Sequence, residues 1–238
     1  MKVERSMERG SGNAELTGKV RKRMVQVVVQ MALFAAILFG TAGTLRWIWV
    51  WVYLGAGLAV MAANALLLPR ELIAERGSPR ENVKSWDKVL GAIMAVPVLG
   101  ILVVSGLDER FGWSPDLPLA VHLAGLAGMV LGQALFTWAM ASNKFFSTQV
   151  RIQMDRSHTV ASGGPYRWVR HPGYVGYIAF SVATPPILGS LWGLVPAGVL
   201  AVLMVVRTAL EDRTLQEELE GYREYAQRVR YRLLPGVW

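Results

Sequence analysis

Arg170, His171 and Pro172 stand in a row a few residues after a Gly163-Gly164-Pro165-Tyr166 turn. Pro172 has no backbone N–H and biases His171 away from helical angles, so it belongs in the first turn of a following helix. An arginine and a histidine are then held just before a helix N-terminus, where free N–H groups and the helix dipole favour an anion. Binding of a carboxylate or phosphate is the chemistry on offer, and an interfacial pair holding lipid headgroups would look the same. Tyr174 and Gly176 follow on the first turns. A second group comes about 40 residues later, where Arg207, Glu211 and Leu215 fall at i, i+4 and i+8 with Asp212 beside Glu211. Two carboxylates directly after an apolar run suit ion pairs with Arg207 and Arg213, or a cationic ligand. Spacing alone favours the ion pairs by about two to one. No catalytic triad or metal cluster is visible. The absence of cysteine excludes disulfides, thiolate metal sites and a cysteine nucleophile.

The elements that must position these residues are membrane helices. Of the 238 residues, 53% are hydrophobic and 18% charged, and the charges leave long gaps. Residues 24–45, 47–69, 89–107 and 117–143 are uncharged runs of 22, 23, 19 and 27 residues, and 172–206 is one of 35. A bilayer core takes about 20 apolar residues per helix. The longest gap contains Pro185-Pro186 and Gly189-Ser190, which would turn the chain back, so five or six spans are expected. The segment before the proline pair is short enough for a half-span or re-entrant helix. The first run exceeds a typical signal core and is kept as a span. The fold class is all-α: a multi-pass transmembrane bundle with an interfacial connector and a C-terminal amphipathic helix.

The net charge of +8 is distributed by topology. With the N-terminus inside and six spans, 23 of the 25 Lys and Arg fall in inside segments, leaving Arg46 and Arg110 outside. This is the positive-inside bias. It predicts cytosolic termini and contact with anionic membrane lipids, and argues against a nucleic-acid partner. Residues 1–23 form a polar tail, frayed until Lys19, residues 24–141 a four-span scaffold, and 142–238 the region that carries the chemistry. Within the fourth span Gly125, Gly128 and Gly132 lie on one face and allow a neighbouring helix to approach. Gln30, Asn64, His122, Gln133 and Thr137 are uncharged and are read as bonding a neighbouring helix or, for His122, as sitting near the outer interface. Residues 142–170 mix aromatics with basic residues, as a headgroup-level connector does. Leu215, Leu219, Tyr222, Ala226 and Val229 form one apolar stripe, with a possible break at Gly221.

The stretch from His158 through Gly164, Tyr166, Arg170-His171-Pro172 and Tyr174 to Gly176 resembles the cofactor motif of isoprenylcysteine carboxyl methyltransferases and their bacterial relatives. The family pattern is a His, a Gly-x-Tyr turn and Arg-His-Pro-x-Tyr-x-Gly. An acidic pair follows one hairpin later, then Tyr-x-x-Tyr and a basic tail. Here Glu211-Asp212 stand at the acidic pair, with Asp212 one methylene shorter than the family's Glu, and Tyr222 and Tyr225 at the tyrosines. Glu217-Glu218 is a competing pair further from the span. The resemblance covers about 143–238 and implies an S-adenosylmethionine-dependent methyltransferase of the bacterial inner membrane, without a metal. His158, Gly164, Tyr166, Arg170, His171, Pro172, Tyr174, Gly176, Glu211 and Asp212 would bind the cofactor, with Arg170 and Glu211 catalytic. Arg170 and His171 would take its carboxylate, Glu211 and Asp212 its cationic groups, and Tyr166 or Tyr174 its adenine.

The acceptor is left open among a thiol, a lipid amine, a lipid carboxylate and an isoprenoid, any of them hydrophobic or small. Two other readings fit part of the chain. Sterol-type membrane reductases, which bind NADPH, end in a tail like Tyr231-Arg232-Leu233-Leu234-Pro235-Gly236-Val237-Trp238. A non-catalytic lipid-binding protein with a degenerate site would also use the basic interface.

Overall fold

The computed structural model describes residues 2–75 and 82–238, with side chains from Glu15 onward except that of Glu75. Eight α-helices are present among them: α1 Lys2–Ala42, α2 Ile48–Leu67, α3 Arg70–Glu75, α4 Ser85–Phe111, α5 Leu119–Ala141, α6 Pro172–Leu188, α7 Leu194–Glu218 and α8 Tyr222–Arg228. Five of them, α1 (from Glu15), α2, α4, α5 and α7, are long and apolar enough to cross a membrane. The chain is an integral membrane protein. The backbone of α1 is helical from Lys2. Part of the charged segment between the second and third uncharged runs, with Arg76 and Arg80, lies outside the described residues.

Helix α6 has 17 residues, about 25 Å at 1.5 Å per residue. It begins just after His171, which lies beside Asp212, and ends just before Gly189, where Ser190 donates to Asp108 at 2.5 Å and His122 Nδ1 meets the Ile187 carbonyl at 2.9 Å. It therefore runs the length of the bundle antiparallel to α5, as a sixth traverse shorter than the rest. The chain turns at Gly189, φ +78°, and not at Pro185-Pro186, which stay inside the last turn of α6. Six traverses bring the start of α1 and the C-terminal tail to one end, here called the site end. Val20 and Met24 pack there with Leu68, Leu72 and Met140.

Helices α5 and α6 are in backbone contact, and glycine makes the seam. A Cβ on Gly132 would lie 2.8 Å from the Gly176 carbonyl, and one on Gly176 would lie 2.5 Å from the Gly132 carbonyl and 2.8 Å from Phe136 N. Gly125 meets Ile187 and Ala183 in the same way, and Gly128 meets Ala183. The glycine stripe thus serves packing within one chain. Asn64 accepts from the Thr137 hydroxyl at 2.7 Å, joining α2 to α5. Gly176→Val is expected to cost about 1–3 kcal/mol or more by overpacking. Its thermal unfolding midpoint in detergent should fall well below that of Gly198→Val, where a Cβ meets nothing within 4 Å.

Candidate functional site

Pro172 opens α6 at its first turn, as its chemistry requires, with His171 as the flanking residue at φ −126° and ψ 57°. Arg170 and His171 are held from outside the helix. Their backbone N–H groups donate to the Tyr231 and Arg232 carbonyls, each at 2.9 Å. The tail then closes on itself, with Arg232, Leu233 and Leu234 N–H groups donating to the Trp238 carbonyl. The C-terminal residues are thus laid against the entry to α6.

Asp212 is the hub of this end. Its carboxylate is 0% exposed and accepts from Arg170 Nε at 2.7 Å and Nη2 at 2.9 Å, Arg232 Nε at 2.9 Å, Gln216 Nε2 at 2.8 Å and the Tyr222 hydroxyl at 3.0 Å, with His171 Nε2 at 3.2 Å. Arg170 Nη1 also donates to the Val229 and Arg230 carbonyls at 2.8 Å. Four of the five guanidinium N–H groups are therefore engaged within the protein. Burial, with the Asp212 charge adding to it, pushes the Tyr222 phenol up, so it remains a donor. The Tyr225 hydroxyl donates to the Tyr166 carbonyl at 2.7 Å and fixes the Gly163–Trp168 turn against α8.

Beside this hub is a cleft of about 750 Å³, open mouth included, bounded by the connector, α6, α7 and α8. Of the residues expected from the motif, His158, Tyr166, Arg170, His171, Tyr174 and Glu211 line it. Four others lie elsewhere. Asp212 sits behind Arg170 and His171, Pro172 is buried at the start of α6, and Gly176 is in the α5–α6 seam. Gly164, at φ +55°, packs against Ser142 and Trp138. Glu211 faces the cleft and takes the hydrogen bond of the Tyr174 hydroxyl. The pairs expected of Glu211 and Asp212 with Arg207 and Arg213 are not the ones seen: Asp212 takes Arg170 and Arg232 instead. Arg213 pairs with Glu217 at 2.8 Å, whereas Arg207 turns to Asp87 at 2.8 Å and not to Glu211. The apolar stripe of 215–229 breaks at Gly221, φ +78°, and packs on Ala139, Tyr166 and Phe146.

The connector supplies the other wall through Phe145, Phe146, Ser147, Gln149, Val150, Arg151 and Gln153. No motif spacing marked these residues. The mixed aromatic and basic composition of 143–151 was the available signal, and it pointed to an interface. His158 stacks obliquely on Phe145 at 4.5 Å, and its Nδ1 accepts from Gln153 N–H at 3.3 Å. Burial, followed by the charges of Arg151 and Arg156, lowers the His158 pKa to about 4. The unfolded chain, with an imidazole near 6.5, then binds the proton first. The contribution is complete above pH 6.5 and is lost as pH falls from there through about 4. Thermal midpoints should drop across that window, and the drop should be smaller in His158→Asn.

Fold and cleft together define a helical membrane protein with a polar, aromatic-walled site at one end of its bundle. Residues 123–218 match the isoprenylcysteine carboxyl methyltransferase (ICMT) family, so this region carries the relationship that the 158–176 motif resembles. The chain is 33% identical over 132 residues to a protein-S-isoprenylcysteine O-methyltransferase of Rattus norvegicus, covering 51% of this chain and 44% of that protein. A Mus musculus protein of the same name is 34% identical over 132 residues, with the same coverage. A probable protein-S-isoprenylcysteine O-methyltransferase of Oryza sativa subsp. indica is 28% identical over 117 residues, covering 46% of this chain and 59% of the relative. The match spans about half the length of these relatives.

Proposed function

We propose that the protein is an integral membrane methyltransferase that uses S-adenosylmethionine and acts on a hydrophobic acceptor at the site end of the bundle. The observation that carries the reading is the cleft. Glu211, Tyr174, His171 and Arg170 of the family motif converge there with Tyr166 and the connector aromatics. The lining also suits the cofactor chemically: a carboxylate for cationic groups, aromatic faces for a nucleobase, and Arg151 and the spare Arg170 N–H for a carboxylate. When bound, S-adenosylmethionine supplies a methyl carbon on a positively charged sulfur. Transfer to an acceptor oxygen or sulfur would need the acceptor held in line with that carbon, which the cleft residues would do by holding both molecules in place. In this reading the residues position and shield, and none needs to form a covalent bond. Glu211 would orient the cationic side, and Arg170 and His171, fixed by Asp212, would form the floor.

Two spaces along the helices lie near the cleft and suit the chain of a hydrophobic acceptor. One groove, of about 310 Å³, lies between α1, α2, α5 and α6 and is largely apolar, with Met31, Phe34, Tyr53 and Phe136 in its walls. A second gap, of about 560 Å³ along α1 and α4, shares Gln30, Phe34 and Tyr177 with it and extends to Gln149, which also lines the cleft. An isoprenylcysteine carboxylate is the acceptor that the relatives' name suggests. The site end would face the cytosol, because 23 of 25 Lys and Arg belong to that side in the six-traverse order.

Calorimetric titration of the detergent-purified chain with S-adenosylmethionine, and separately with NADPH, tests the reading. Saturable S-adenosylmethionine binding, lost in His171→Ala, is the expected result. Binding of NADPH alone would assign the cleft to reductase chemistry, and binding of neither would leave a non-catalytic lipid protein. Methyl transfer from labelled S-adenosylmethionine to N-acetyl-S-farnesylcysteine tests the acceptor class.

A further inference from the structure

We infer that Asp87, in the first turn of α4, is a positioning residue that latches the 147–151 strap across the cofactor cleft. The inference rests on the S-adenosylmethionine reading of that cleft. Asp87 lies outside the matched region, which begins at residue 123, and is 3% exposed. Its Oδ2 accepts the Val150 N–H at 2.8 Å, while the neighbouring Lys84 N–H donates to the Val150 carbonyl at 3.1 Å. Both backbone groups of Val150 are therefore held by the start of α4. Asp87 also accepts from Arg207 Nε at 2.8 Å and Nη2 at 3.3 Å, and Arg207 Nη2 donates to the Thr148 carbonyl at 2.9 Å. One carboxylate thus ties the strap to α7 by two routes.

The position of the strap gives this latch its consequence. Ser147, Gln149, Val150 and Arg151 line the cleft, while Thr148 and Gln149 also line the gap along α1 and α4 together with Asp87 and Arg207. The strap is the partition between the two spaces. The Arg207 guanidinium lies 5.3 Å from the centre of the Tyr174 ring, whose hydroxyl binds Glu211. A strap released from Asp87 loses the wall facing the cofactor, whereas the α5–α6 seam is untouched.

The test uses the full chain in detergent and reads two quantities: amide exchange of peptides covering 147–151, and the calorimetric dissociation constant for S-adenosylmethionine. Asp87→Ala is expected to speed strap exchange at least about tenfold and to weaken binding about tenfold, with exchange in α6 unchanged. Asp87→Asn keeps an acceptor for the Val150 N–H and should show a smaller change in both. It also carries the test should the alanine variant fail to fold. Glu218→Ala removes the Lys84–Glu218 pair, at 2.6 Å, which joins the start of α4 to α7 through the Lys84 side chain and leaves the Lys84 N–H bond to Val150 in place, and should change neither quantity. Unchanged strap exchange in the Asp87 variants would overturn the latch, and faster exchange with unchanged affinity would overturn its role in the site. Loss of affinity in Glu218→Ala equal to that in Asp87→Ala would reduce Asp87 to general helix docking. A wild-type chain that binds no S-adenosylmethionine overturns the cofactor reading itself, and the exchange result then still reports whether the strap is latched.

Discussion

Asp212→Ala is expected to destabilise the protein by about 3–5 kcal/mol, because removing one member of a buried ion pair leaves the others uncompensated. The carboxylate takes two bonds from Arg170 and one each from Arg232, Gln216 and Tyr222. Without it, the Arg170 guanidinium remains buried against the Val229 and Arg230 carbonyls, with no counter-charge among the partners named for it. The tail loses its tie to α7 at the same time. Thermal unfolding in detergent should show a lowered midpoint, and S-adenosylmethionine titration should show no saturable binding. Asp212→Asn keeps the shape and loses the charge, so it should fall between. A variant with a normal midpoint and normal affinity would show that the backbone bonds of Arg170 and His171 to Tyr231 and Arg232 suffice to hold the tail.

Glu211→Gln should behave in the opposite way. Its carboxylate lies at the cleft wall and accepts from Tyr174, so the amide can retain that bond while losing the charge. A hydrogen bond to a charged group contributes about 1.5–3 kcal/mol, which converts to roughly a 10- to 150-fold weaker dissociation constant for S-adenosylmethionine. The thermal midpoint should hardly move. Calorimetry on the two neighbouring variants would therefore separate a residue that holds the site from one that meets the ligand. Unaltered affinity in Glu211→Gln would return Glu211 to a purely structural role.

Much of the architecture was legible in the order of residue types. Uncharged runs of about 20 residues between charged segments admit a helix that crosses a bilayer and little else. Pro172 could only sit where a helix begins, and it opens α6. Gly125, Gly128 and Gly132 marked a face that another helix approaches, and α6 lies against it. Gly221 marked a break, and its φ of +78° is the conformation that makes glycine suitable there. The 17-residue α6 stayed ambiguous, since length and prolines alone suit a half-span as well as a short traverse, and packing along α5 settled its course.

The sequence by itself thus determined the spans, the helix starts and which stretch carries the family motif. Only the tertiary structure decided how that motif divides its work. Glu211 and Asp212 are neighbours in sequence, but successive residues on a helix point about 100° apart. One therefore faces the cleft while the other is sealed behind it. Arg207 has Glu211 within helical reach, yet pairs with Asp87, 120 residues away, which also fixes the strap. Sequence spacing specifies neighbours along one helix. Which residue of another element arrives at each face is set by how the helices pack, and that packing buried Asp212 beneath Arg170 and left Glu211 at the wall.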